Sequence, residues 1–214
     1  MCHPTTERSE NQRQVLIMWS KVCFFVNTFA IQTQYETMKT VNISDFARFL
    51  GLSMLSQGIS VSPLKLQKIL YYQQAWHMVF FGRENQLFEE APEAWVNGPV
   101  YPGIYRQYRD CVQNMCDHLK EQDFGVQPGG ILATIERLAA NLGLSKEELD
   151  LFESVMRLYG SKTQNQLILV THSEQPWCEA REGLLPYQAS NRTISLDTMY
   201  EYYKARRDRR MKRQ

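Results

Sequence analysis

Apolar residues recur at helical spacing along most of this chain, and the run Ser62 to Phe81 carries the clearest pattern. At 100° per residue, Leu66, Ile69, Leu70 and Phe80 fall on one stripe. Lys65, Lys68, Tyr72 and Val79 fall on a neighbouring face. Gln73 and His77 lie inside the stripe, one turn apart, and need hydrogen-bond partners if buried. Ser62 is suited to cap free N–H groups, and Pro63 fits the first helical position, where no donor is needed. Gly82 stops the helix.

Upstream, Asn42 or Ser44 opens a helix through Phe46, Phe49, Leu50 and Leu52, closed by Gln57-Gly58-Ile59. Downstream, Leu87 to Val96 reads as a short extended segment before a turn at Asn97-Gly98-Pro99. Pro102-Gly103 starts a helix through Tyr105, Tyr108, Val112 and Met115. Phe124 to Gly130 is a loop, and Ile131 to Leu142 is amphipathic. Ser145-Lys146-Glu147-Glu148 forms a capping box for a helix ending at Gly160. Ser161 to Val170 is helical, and Pro176 sits in the first turn of another helix. Thr193-Ile194 reads as a brief strand paired with Trp95-Val96. Ser195 opens a last helix from Leu196 to Arg207. The pattern predicts a mainly α, compact single helical domain with a small β element.

Composition is that of a globular protein, with 43% hydrophobic and 22% charged residues. The net charge of +1 is unevenly placed. Lys204 to Gln214 holds seven basic residues and one acid, net +6, which leaves −5 on the rest of the chain. This tail could touch nucleic acid, but it lacks a groove-reading element and aromatic interleaving, so it reads as a solvated helix end. Five cysteines at irregular spacing fit reduced thiols in a cytoplasm. Cys111-x4-Cys116-x-His118 is not a usual zinc spacing, and both cysteines read as small packing residues of a helix. No metal and no cofactor is expected.

Residues 1–37 differ from the remainder. A polar start precedes the apolar run Val15 to Ile31, which is short for a membrane span and contains Lys21 and Asn27. Its leader is not cationic enough for a secretory signal. Met38-Lys39-Thr40-Val41 is a natural start, so 1–37 reads as an extension upstream of the true beginning. The domain then covers 38–205, with 206–214 as a basic tail.

Three segments resemble one known family. The run Pro63-Leu64-Lys65-Leu66-Gln67-Lys68-Ile69-Leu70-Tyr71-Tyr72, leading to Trp76-His77, is the first. Trp95-Val96-Asn97-Gly98-Pro99-Val100, followed by Tyr101 and Tyr105, is the second. Thr171-His172-Ser173-Glu174-Gln175-Pro176-Trp177 is the third. Together they resemble the Panacea antitoxin domain, SocA-like and including phage-associated GepA-type proteins, from about Val41 to Tyr203. Gln73 stands where a small residue is common, and Cys111 to Leu142 matches poorly. The resemblance implies an antitoxin of a type II-like toxin–antitoxin system. Its partner would be a toxin from a neighbouring gene, neutralised by direct binding or, alternatively, delivered by an adaptor to a protease.

The residues themselves offer little catalysis. Phosphate loops, zinc-protease and nucleophile-elbow motifs are missing. His77, Glu93, His172 and Glu174 would be the set for a metal-dependent hydrolase. The competing reading is structural: His77 as a satisfied core imidazole, Thr171 and Ser173 as caps, and Trp95, Pro176 and Trp177 as packing residues whose truncation unfolds the domain. Binding is left to a surface of Lys65, Lys68 and Tyr72 beside Trp76, joined by Asn97, Tyr101 and Tyr105 on a stiff Gly98-Pro99-Val100 turn.

Overall fold

A computed structural model describes residues 40–212. The extension 1–37 and its proposed boundary at Met38 lie outside the described residues, as does Arg213. Eight α-helices and one hairpin follow in the order α1 (Ile43–Ser56), α2 (Pro63–Phe81), β1 (Glu93–Trp95), β2 (Gly98–Val100), α3 (Pro102–Tyr108), α4 (Gly130–Leu142), α5 (Lys146–Tyr159), α6 (Gln164–His172), α7 (Gln175–Ala180) and α8 (Leu196–Met211). The architecture is mainly α. Among the described residues, no helix is long and apolar enough to cross a membrane.

The helix α2 is the axis of the fold. Ser62 Oγ accepts from Lys65 N–H, Pro63 occupies the first turn, and every residue from Pro63 to Phe80 is buried. The single apolar stripe expected from sequence is therefore too narrow. Helices α5, α6 and α8 and strand β2 pack around α2, while α4 packs on α1. A helix surrounded on all sides normally carries apolar residues all round. Here six polar positions are enclosed instead, and five of them bond the surroundings. Gln67 accepts from Tyr101 N–H at 2.8 Å. Lys68 Nζ donates to Pro99 O at 3.0 Å. Gln73 donates to Phe152 O, and Gln74 pairs with both N–H and C=O of Phe88. His77 contacts Asn85 O and Glu148 Oε1, each at 2.9 Å. Long side chains on one rigid helix thus satisfy the backbone of irregular segments that have no ladder of their own.

His77 is accordingly a satisfied core residue. Burial acts to raise the Glu148 carboxyl, but hydrogen bonds from His77 and Ser145 outweigh it and hold it below its ordinary value. The capping box at Ser145 forms as expected.

Three local expectations change. Helix α3 ends at Tyr108 rather than running to Met115. The segment beyond it turns back, where Leu119 N–H donates to Val61 O and Leu64 N–H to Met115 O. Cys111 and Cys116 are consequently exposed thiols, not helix-packing residues. Thr193 forms an antiparallel bridge with Glu93 rather than with Trp95-Val96. Helix α8 continues through the expected boundary at 205/206 to Met211. Arg206 and Arg207 are tied to the domain by Glu174 and by the Val79 carbonyl.

Candidate partner-binding site

The hairpin β1–β2 is where separate parts of the sequence meet. Glu93↔Val100, Ala94↔Pro99 and Trp95↔Gly98 are opposed. Val96 and Asn97 form the loop, and Gly98 supplies the positive φ of +96° that turns the chain into β2. Two groups clamp the hairpin from opposite sides. From α2 come Gln67 and Lys68, bonded to the backbone of Tyr101 and Pro99. From α6 and α7 come Thr171, His172, Trp177 and Arg181. Trp177 Nε1 donates to Trp95 O at 3.0 Å, and Arg181 Nη1 donates to Ala94 O at 2.9 Å. Arg181 also lies over the Trp177 ring, 5.2 Å from its centroid, and His172 stacks on the same ring with centroids 4.0 Å apart and an interplanar angle of 11°.

Lys68 is the unusual member. It is fully enclosed, and burial alone pushes its ammonium down to about 7. Burial also lowers His172 below the ordinary imidazole value, and the Lys68 and Arg181 charges add to this against a hydrogen bond with the Val96 backbone. A base depressed from about 10.4 in the unfolded chain binds fewer protons when folded, so its contribution to stability improves as pH rises above about 7. The protein should gain about 2 kcal/mol of unfolding free energy between pH 7 and pH 9, and Lys68→Met should abolish that gain. Denaturant melts at the two pH values measure it. An identical pH dependence in the variant would place the ammonium outside the low-dielectric interior.

Beside the hairpin, α3 and residues 189–191 frame a groove of about 510 Å³, with Trp95, Val96, Val100, Tyr105 and Met115 on its walls and Asn97 at its lip. Tyr105 is half-buried against Trp95, with ring centroids 4.8 Å apart. Leu185 and Tyr187 stand exposed in the loop that leads to Ala189. Arg181 holds this loop through the carbonyls of Leu185 and Gln188.

Of the six residues expected to face a partner, only Asn97 is exposed and Tyr105 is partly so. Lys65, Lys68, Tyr72 and Tyr101 are buried, because α2 has neighbours on every side and because Tyr101 is drawn onto Gln67. Tyr72 stacks on Tyr159 at 3.7 Å and donates to Glu174. The double change Lys65→Glu with Lys68→Glu would thus put charges into the core rather than test a surface. Trp95 and Trp177, expected in the core, are half-buried in the groove wall and the clamp. Thr171 and Ser173 donate back to Ile168 O and Val170 O within α6 instead of capping α7.

The hydrolase set does not assemble. His77 is paired with Glu148, Glu93 accepts from Trp95 Nε1, and Glu174 accepts from Tyr72, Tyr203 and Arg206. Among the described residues, no group of three His, Cys, Asp or Glu side chains is arranged to hold a metal.

The segments joined at the hairpin are those of one family. The profile described as Antitoxin SocA-like, Panacea domain matches residues 66–178, more than half of the chain. The chain belongs to this family. No curated protein and no solved structure matches it. The Panacea match begins in α2 and ends in α7, so it contains the hairpin and the clamping residues other than Arg181. The groove adds a lip at residues 189–191 that lies beyond the match.

Proposed function

We propose that this chain is the antitoxin of a toxin–antitoxin pair and neutralises its toxin by direct protein–protein binding in the groove beside the hairpin. Membership of the antitoxin family supports the partner class. The observation that carries the choice of surface is the groove itself. It is apolar, walled by Trp95 and Tyr105, and built on a hairpin held rigidly from two sides. A preorganised pocket with aromatic walls is what a partner's anchoring side chain requires. The polar side chains of the fold are engaged in holding backbone, which fits binding rather than catalysis. The setting we propose is the cytoplasm, where the three exposed thiols Cys111, Cys116 and Cys178 would stay reduced.

The test begins with the adjacent gene. It should arrest growth when expressed alone, and this chain should restore growth. Asn97→Arg combined with Tyr105→Ala should weaken the purified complex about 10–100-fold, the range of two interface positions near a hot spot. The far-UV spectrum should be unchanged. A harmless neighbour would overturn the pairing, and an unaltered dissociation constant would move the interface away from the groove.

A further inference from the structure

The C-terminal ends of α5 and α8 enclose a second cavity, of about 150 Å³, lined by Trp76, Leu158, Tyr159, Lys162, Arg206 and Arg210. It shares no residue with the groove. Along α2, Trp76 lies nine residues beyond Gln67, about 14 Å further down the axis.

We propose that this cavity binds a phosphate group presented by a nucleotide or a nucleic acid. Three cations converge on it from two elements. Arg206 and Arg210 are one turn apart on α8, and Lys162 follows the end of α5, its N–H donating to Tyr159 O at 3.0 Å. Arg206 is oriented from behind, since Nη1 donates to Glu174 Oε1 at 2.8 Å and uses only one of five guanidinium donors. Glu174 itself is turned inward, and its oxygens are occupied by Tyr72, Tyr203 and Arg206. Elsewhere on α8, Arg207 bonds Val79 O and Asp208, and Lys204 lies over the Tyr200 ring.

The floor is apolar and fixed. Trp76 Nε1 donates to the Tyr159 hydroxyl at 3.2 Å, and Tyr159 stacks on Tyr72. Low-dielectric walls strengthen the attraction between the cations and an anion that enters. Burial pushes the Tyr159 hydroxyl up to about 12; the Arg206 charge opposes this, Glu174 adds to it, and the Trp76 hydrogen bond and Arg210 oppose it more weakly. The volume of about 150 Å³ is enough for a tetrahedral oxyanion. Several donors around a compact hole suit the spread oxygens of phosphate better than a single carboxylate. Trp76 and Tyr159 are both buried and leave no exposed ring for a base to stack on, so the proposed recognition is of the phosphate and is indifferent to the base.

The experiment uses the full chain, with thermal melts and intrinsic tryptophan fluorescence in inorganic phosphate against chloride of equal ionic strength. Lys162→Ala and Arg210→Ala are the variants, and Arg206 is left intact because it partners Glu174. Phosphate should raise the melting temperature saturably, and each variant should bind at least about tenfold more weakly, as expected for loss of one charged hydrogen-bond donor. Indistinguishable melts in phosphate and chloride would overturn the proposal, as would variants that bind phosphate as tightly as the unaltered chain. The four nucleoside triphosphates and a short RNA serve as further ligands. Tighter binding of all four nucleotides alike supports the site with a free nucleotide as its source. Tighter binding of RNA, lost in the variants and weakening with salt, supports it with the backbone as source. Selectivity for one base would contradict a cavity that reads phosphate alone.

Discussion

Glu174→Ala should lower the unfolding free energy by about 3–5 kcal/mol, the cost of breaking a buried charged pair by removing one partner. Glu174 is 1% exposed and joins three elements at one point. It accepts from Tyr72 on α2 at 3.2 Å, and from Tyr203 and Arg206 on α8 at 2.6 and 2.8 Å. Truncation would leave two enclosed hydroxyls without their acceptor, where water cannot replace it, and would release the partly exposed Arg206 guanidinium. For a domain of this size the melting temperature should fall by roughly 10 °C. Burial raises the Glu174 carboxyl, and the bonds from Tyr203, Arg206 and Tyr72 offset that only in part. With a folded value above the unfolded one, this group's contribution is fullest in acid and declines as pH rises through the folded value. Glu174→Gln should therefore be milder than Glu174→Ala, since an amide oxygen still accepts. Equal losses in the two variants would show that the carboxylate charge, and not packing volume or a neutral acceptor, holds α2 and α8 together.

Gly98→Ala should cost about 2–4 kcal/mol, from a left-handed backbone position and from overpacking together. A Cβ on Gly98 would lie 2.6 Å from Lys68 Cε and 2.8 Å from Thr171 Oγ1. Lys68 has no free space into which to retreat, being fully enclosed. Gly143 provides the comparison: it has a φ of +63° and nothing within 4 Å of an added Cβ. Gly143→Ala should thus lose only the backbone component, about 1–2 kcal/mol. The difference between the two variants in urea melts isolates the clamp around the hairpin. If both lost the same amount, the close approach of Lys68 and Thr171 would be carrying no constraint. Because the hairpin forms the groove wall, Gly98→Ala should also weaken binding of the toxin.

Much of the fold is written locally. Asn42, Ser62, Ser145, Thr163 and Ser195 each accept from the backbone three residues on, and Gly82 caps the end of α2. These signals depend on neighbours within one turn, so spacing alone reveals them. A turn at Asn97-Gly98 is readable for the same reason, although the loop residues are Val96 and Asn97 and Pro99 lies in β2. Cys111 to Leu119 is less so, because that stretch is shaped by bonds to Val61 and Leu64, which lie far away in sequence.

The surface proposed for the partner was only partly legible. Asn97 and Tyr105 could be anticipated as turn and aromatic residues. Lys65, Lys68 and Tyr72 carry the composition of a surface, and period alone cannot tell a helix with one buried face from a helix enclosed all round. Arg181, which fixes the hairpin and the loop at residues 185–188, gave no local signal, because its acceptors are carbonyls on distant segments.

By itself, then, the sequence determined the helical class, the start and end of most elements, and the three segments that mark the family. Only the tertiary structure decided which polar side chains are interior. Burial is set by what packs on the far side of a helix, and that partner comes from residues up to a hundred positions away, as with Tyr72 and Glu174. It also decided that the three segments form one rigid hairpin clamp, and that the basic end of α8 is part of the domain. Those outcomes rest on buried backbone groups needing partners, a demand that the folded chain meets through space and not along its length.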